Sequence, residues 1–144
     1  MSRQFSTCYV DDLLFGLDVL KVREVVKYQS ITPAPLSEKH VLGLINLRGQ
    51  IITAIDLGVC LGLEESKLSQ EERMNMVVYS EGEPISLVVD QVGDVVEVDD
   101  ELYEDPPETL SPKLREYVNG IFKLDDTLLL VLDVDKLLGS GEDK

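Results

Sequence analysis

Short apolar runs alternate with polar breaks along this chain, and the runs are too brief and too rich in Val, Ile and Leu to be amphipathic helices. Residues 5–10 and 13–17 flank Asp11-Asp12 and read as a β-hairpin. Residues 22–27 return to strand character. Residues 28–40 carry Pro33 and Pro35 and read as an ordered loop, because proline cannot donate to a ladder. The richest stretch is 41–57, VLGLINLRGQIITAIDL, two apolar arms around Arg48-Gly49. Glycine suits a tight turn that needs positive φ, so the pattern predicts two strands with a lone guanidinium at their tip. Ile51 is expected in the core of that hairpin. Residues 57–63 are short and apolar and residues 64–73 polar and helix-favouring, which together predict a helical connector.

The second half repeats the order. Residues 76–79 and 85–89 predict a hairpin around Glu81-Gly82-Glu83-Pro84, and residues 92–98 a strand. Residues 99–112 form an acidic, proline-rich loop, and residues 113–118 one helical turn. Residues 120–124 and 128–132 flank Asp125-Asp126 as another hairpin, 133–138 close with a short helix, and 139–144 read as a frayed tail. Laid over each other at an offset of 77, residues 43–62 and 120–139 match Gly43 with Gly120, Leu47 with Leu124 and Asp56 with Asp133. At an offset of 70, residues 15–26 and 85–96 match Leu17, Val19, Val22, Val25 and Val26 with Leu87, Val89, Val92, Val95 and Val96, and Glu24 with Asp94. Two blocks in the same order, the later one carrying the same Asp at 56 and 133, imply duplication: two five-stranded units, each too small to bury its core alone, packed together. Small antiparallel barrels remove exposed strand edges at this size. The expected fold is therefore all-β with two barrels: barrel one mainly 15–75, barrel two mainly 76–138, and the N-terminal strand shared or exchanged, all within one domain spanning 1–144.

Composition narrows function. Thirteen Lys and Arg against 28 Asp and Glu leave a formal charge of −15, a surface that repels phosphate backbones and anionic lipid. A small barrel binding oligonucleotides needs a basic groove with aromatic platforms, and this chain has no Trp, five Tyr and three Phe. No apolar stretch is long enough for a membrane span and the start has no signal-peptide core, so a cytoplasmic protein is expected. Cys8 and Cys60 sit inside apolar runs and read as small buried hydrophobes. One histidine, His40, and two scattered cysteines do not make a zinc site, and no nucleophile elbow or phosphate loop is present. Neither an enzyme nor a cofactor is expected.

Asp56 and Asp133 each end a strand before a short apolar turn, where an N-cap belongs. Glu24 and Asp94 lie between valines and are expected to point away from the core. Asp94 reads as solvated, while Glu24, beside Lys21, Arg23 and Lys27, suits either a partner contact or a surface ion pair. Arg48 stands out because the duplicated turn carries Asp125-Asp126: a charge reversal at equivalent tips implies that they meet different things.

LGLINLRGQIITAIDL resembles the signature hairpin of the CheW-type chemotaxis coupling proteins. PISLVVDQVGDVVEV and YVNGIFKLDDTLLLVLDVDKLL are similar to later strands of the same family, so the likeness runs from about residue 5 to residue 138. That resemblance implies two intertwined SH3-like five-stranded β-barrels with short connecting helices. It also implies a non-enzymatic adaptor joining the cytoplasmic tip of chemoreceptors to the regulatory domain of a CheA-type histidine kinase, in arrays on the inner face of the membrane. Position by position it implies receptor contact at Arg48, Glu24 and Val19, in a groove between the barrels, and kinase docking at Val22 and Gly43 on the first barrel. The family usually carries a proline where this chain has Ala54; a proline there implies an edge or a bulge, and its loss is expected to loosen the edge without removing the groove. The short N-terminus favours a stand-alone adaptor. An adaptor of another chemosensory pathway, such as surface motility or biofilm control, shares these features, and a small β-barrel ligand-binding module is a further alternative.

Overall fold

A computed structural model describes residues 1–34, 38–80 and 82–138, as eleven strands and three short helices. The first unit contains β1 (Ser2–Val10), β2 (Leu13–Asp18), β3 (Val22–Val26), β4 (Val41–Leu47), β5 (Gln50–Asp56) and α1 (Leu57–Cys60). The second contains β6 (Met74–Ser80), β7 (Glu83–Val89), β8 (Gln91–Val92), β9 (Val96–Asp99), α2 (Pro112–Tyr117), β10 (Val118–Lys123), β11 (Leu128–Leu132) and α3 (Val134–Leu138).

The strands sort into two sheets that do not follow the units. One has the order β10-β11-β2-β1-β8, with β9 also on β1; the other is β3-β6-β7-β5-β4. Each sheet thus takes the leading hairpin of one unit and the remaining strands of the other. The registers show the duplication. β11 runs parallel to β2 with Leu130 opposite Phe15, and β5 runs parallel to β7 with Thr53 opposite Ile85. Thr53 and Leu130 are related by the offset of 77, and Phe15 and Ile85 by the offset of 70. The leading hairpins agree as well, Tyr9 facing Leu14 and Tyr79 facing Pro84. The expected division near residue 75 is corrected accordingly. β6 and β7 complete the sheet of β3, β4 and β5, which occupies 22–89, while β1 and β2 both join the sheet of β8 to β11. A whole hairpin, not one strand, is exchanged in each direction.

Three apolar clusters follow from this weave. Ile45, Leu47, Ile52, Ala54, Val77 and Val88 fill the first barrel, and Phe5, Leu14, Phe122, Leu129 and Val131 the second. The largest lies between the sheets and draws on both, including Phe15, Leu17, Met76, Leu87, Leu130 and Leu132. Along β11 the side chains alternate between a barrel interior and the inter-barrel core, so both faces are buried. That explains why LLLVL and SLVV read as unbroken apolar runs.

Local expectations hold at most elements and fail at four. Residues 64–73 form no helix beyond a 3-10 turn at Gln70–Glu72, because Leu68 is their only large apolar residue and there is no face to bury. The strand expected at 92–98 is interrupted: Thr7 accepts the Gly93 N–H at 2.9 Å through its carbonyl, and its hydroxyl donates to the Asp94 carbonyl at 2.6 Å. Ile51 is 59% exposed, facing Asn46 on the outside of the hairpin, and Ile52 takes the core position instead. Ala54 lies on an interior strand paired on both sides, so there is no edge for it to loosen; it sits at the other expected place, opposite the β4 register shift between Val41 and Gly43. The tail at 139–144 lies outside the described residues.

Candidate functional site

The tip of the β4–β5 hairpin is a tight turn with positive φ at two residues, Arg48 (52°) and Gly49 (87°), the pattern of a type I′ turn. Asn46 Oδ1 accepts the Gly49 N–H at 2.9 Å and braces it. A non-glycine residue in the left-handed region costs about 1 kcal/mol, so Arg48 stands where asparagine or glycine is the easier residue. Its side chain remains 64% exposed, and its Nη2 donates to Oε2 of Glu24 on β3. Arg23 completes the cluster. Its Nη1 donates to Gln50 Oε1 at 3.2 Å, its Nε lies 3.8 Å from Glu24, and its guanidinium sits 5.2 Å from the centroid of the Tyr79 ring.

β3 and β4 are the two ends of the five-stranded sheet, so these contacts close the first barrel through side chains. The hydrogen bond from Arg48 holds the Glu24 carboxyl below its ordinary value, with Arg23 adding to it, and raises the guanidinium in return. Exposed Ile51 and Val25 flank the rim. Glu24 is only partly exposed, on the side it shares with Val26, while Arg23 and Val25 turn outward, so the expectation that Glu24 points away from the core is corrected; a register shift separates Val22 from Glu24. Asp94, its counterpart, is exposed as expected. Sequence reasoning found Arg48, Glu24 and the basic neighbours of Glu24, Arg23 among them, but not Gln50 and Tyr79.

The other expected residues fall elsewhere. Val19 occupies the 3-10 turn Val19–Lys21, which carries the chain from β2 to β3 and so from one sheet to the other. It lines a cleft with Arg3, Asp18 and Leu20. Val22, opposite Val78 on β6, packs partly buried against the inter-barrel core. Gly43 is buried with φ +146°, and a Cβ there would meet the Thr32 carbonyl oxygen at 2.1 Å, so it serves by letting the chain at Thr32 bridge to Leu44. Asp56 and Asp133 both cap: Asp56 Oδ1 accepts the Val59 N–H at 3.2 Å and Asp133 Oδ1 the Lys136 N–H at 2.9 Å.

Asp56 has a second partner that the sequence did not disclose, the buried guanidinium of Arg73 at 3.2 Å. Both cysteines are free; burial pushes the Cys8 thiol up to about 12 and the Cys60 thiol up to about 11. Among the described residues no group of three or more His, Cys, Asp and Glu is placed to hold a metal ion, and no helix is long and apolar enough to cross a membrane. The roomiest of the described clefts, about 720 Å³, is open and lined by carboxylates, among them Asp11, Asp12, Glu64 and Glu72.

Comparison with known proteins agrees with this architecture. The family model described as CheW-like domain matches residues 4–142. A chemotaxis protein CheW of Treponema pallidum is 31% identical over 142 residues, covering 96% of this chain and 84% of that protein. A chemotaxis protein CheW of Klebsiella aerogenes is 33% identical over 129 residues, covering 89% and 76%. The crystal structure of scaffolding protein TtCheW from Thermoanaerobacter tengcongensis superposes with a TM-score of 0.85 at 32% identity, covering 96% of this chain and 94% of that one. With matching sequence along nearly its whole length and the same pair of SH3-like barrels, the chain belongs to the CheW-like family of chemotaxis adaptor proteins.

Proposed function

We propose that this chain couples the cytoplasmic tip of chemoreceptors to the regulatory domain of a CheA-type histidine kinase, at arrays on the inner face of the membrane. The observation that carries the reading is the Arg48 guanidinium, exposed at a braced hairpin tip and held by Glu24. A fixed, exposed Arg beside apolar Ile51 and Val25 is the composition of a protein-binding hot spot. Receptor contact is assigned to Arg48, Glu24 and Val19, in a groove between the barrels that suits a helical tip with apolar anchors and a charged rim. Kinase docking is assigned to Val22 and Gly43. Gly43 is buried and contributes through the shape of β4, whereas Val22 has surface to offer. Direct binding of nucleic acid or insertion into lipid is not part of the reading, since the charge of −15 opposes both.

The test is co-sedimentation of a CheA-type kinase with receptor-bearing membranes, with and without this protein. Kinase is expected in the pellet only when the protein is present. Arg48→Asn, which suits a left-handed turn position, is expected to leave the fold intact and lower kinase recovery. A folded wild-type protein that binds neither partner overturns the proposal.

A further inference from the structure

Because a hairpin is exchanged in each direction, the chain crosses twice between equivalent places in the two sheets, from β2 to β3 and from β7 to β8. Duplication makes these crossings comparable, and they are held differently. At the second, Arg73 is 5% exposed at the start of β6. Its Nη1 donates to Asp56 Oδ2 at 3.2 Å and its Nη2 to the Val88 carbonyl at 3.4 Å, both within its own sheet. Its Nε lies 3.7 Å from Asp90 Oδ1, without a hydrogen-bond partner among the described residues.

Asp90 is the crossing residue itself and is tied to the other sheet. Its Oδ2 accepts the Asp11 N–H at 3.1 Å in the β1–β2 turn, and its own N–H donates to the Tyr9 carbonyl at 3.1 Å. Its Oδ1 also accepts the Ser66 hydroxyl at 2.7 Å.

At the first crossing the offset of 70 puts Arg3 in the place of Arg73 and Leu20 in the place of Asp90. Leu20 is 89% exposed. Arg3 turns to Asp100 at 2.6 Å and to the rings of Phe5 and Tyr103, all on its own side of the molecule. That crossing is spanned by Lys21 and Asp135, paired at 2.8 Å with both side chains substantially exposed, an arrangement that solvent weakens.

We infer that Arg73 is a positioning residue which fixes the angle between the two barrels by clamping the β7–β8 crossing through Asp56 and Asp90, and that the β2–β3 crossing is the compliant one. A buried charged cluster of this kind is better suited to specifying one arrangement than to adding stability. For an adaptor whose receptor-facing groove lies between the barrels, that angle sets the width of the groove. This consequence rests on the proposed function, whereas the angle itself can be measured with no partner present.

The experiment is a pulsed-EPR distance measurement on the full chain, spin-labelled at Ile51→Cys and Leu128→Cys, outward positions on different sheets related by the offset of 77. Cys8 is buried and Cys60 half-buried, and burial pushes their thiols up to about 12 and about 11, so the two introduced, exposed thiols react with the label first at neutral pH. Arg73→Met, of similar length and without charge, is expected to broaden the inter-barrel distance distribution roughly twofold as the clamped crossing becomes a hinge. Arg3→Met serves as the control and is expected to keep the wild-type width, because its contacts do not cross between sheets. Folded Arg73→Met with the wild-type mean and width overturns the inference, as does equal broadening in Arg3→Met. Should Arg73→Met fail to fold, Asp90→Asn carries the test, since it keeps an acceptor for the Asp11 N–H and loses the charge facing Nε. A wild-type distribution in Asp90→Asn then overturns the inference.

Discussion

Arg48 and Glu24 show how one contact serves two ends. The pair joins the open edges of the first barrel, and it also leaves a guanidinium exposed at the tip. Its electrostatic signature is testable. The Glu24 carboxyl lies below its ordinary value of 4.5 because Arg48 donates to it. A depressed carboxyl contributes its stabilisation above the unfolded value and loses it as pH falls through the folded value. The seam contact is therefore expected to be intact at neutral pH and to fail only below 4.5. An NMR titration of the Glu24 side chain in Arg48→Asn is expected to move back up to its ordinary value or beyond, because the desolvation that opposes Arg48 outweighs the remaining pull of Arg23. A titration identical to wild type would remove Arg48 as the cause. Both residues were legible in the sequence as candidates, Arg48 from the charge reversal against Asp125-Asp126. That Glu24 is its partner was not legible, since the two are 24 positions apart and only barrel closure brings them together.

For the elements, hairpins were readable and facing was not. The runs on either side of Asp11-Asp12, Arg48-Gly49, residues 81–84 and Asp125-Asp126 all became paired strands. Which side of a strand faces inward depends on register, and one bulge reverses it. Ile51 and Ile52 mark the difference, both apolar neighbours in one run, one 59% exposed and the other 2%. Ile52→Asp is expected to cost about 4 kcal/mol or more, since it places an unpaired charge inside the first barrel. Ile51→Asp is expected to cost about 1 kcal/mol or less. Urea unfolding of the two variants checks the assignment, and comparable losses would put Ile51 back in the core.

Across the whole molecule the largest core belongs to neither barrel. Sheet β3-β6-β7-β5-β4 is continuous in sequence, residues 22–89, and so can be excised as a fragment. Its strands would then expose Ile55, Met76, Val78, Leu87 and Val89, all of which bury against the other sheet in the intact chain. A fragment of this size has a marginal core even when every apolar face is covered. Residues 22–89 alone are expected to lack the dispersed NMR spectrum of a folded domain. A cooperative unfolding transition in that fragment would show that the barrels are independent.

The sequence by itself determined most of the strands and hairpins, the duplication, the acid-rich surface and the family, because each is written in local pattern: short apolar runs, turn residues, recurring spacing and a hairpin motif. Tertiary structure alone decided which hairpin joins which barrel. The apolar runs of β2 and β7 are interchangeable in character, and either could lie beside β5 or β11. In the fold β2 lies beside β11 and β7 beside β5, and each of these central strands buries one face in a barrel and the other in the inter-barrel core. The same weave brings Arg73 to Asp56 and Asp90, residues whose meeting no local pattern records.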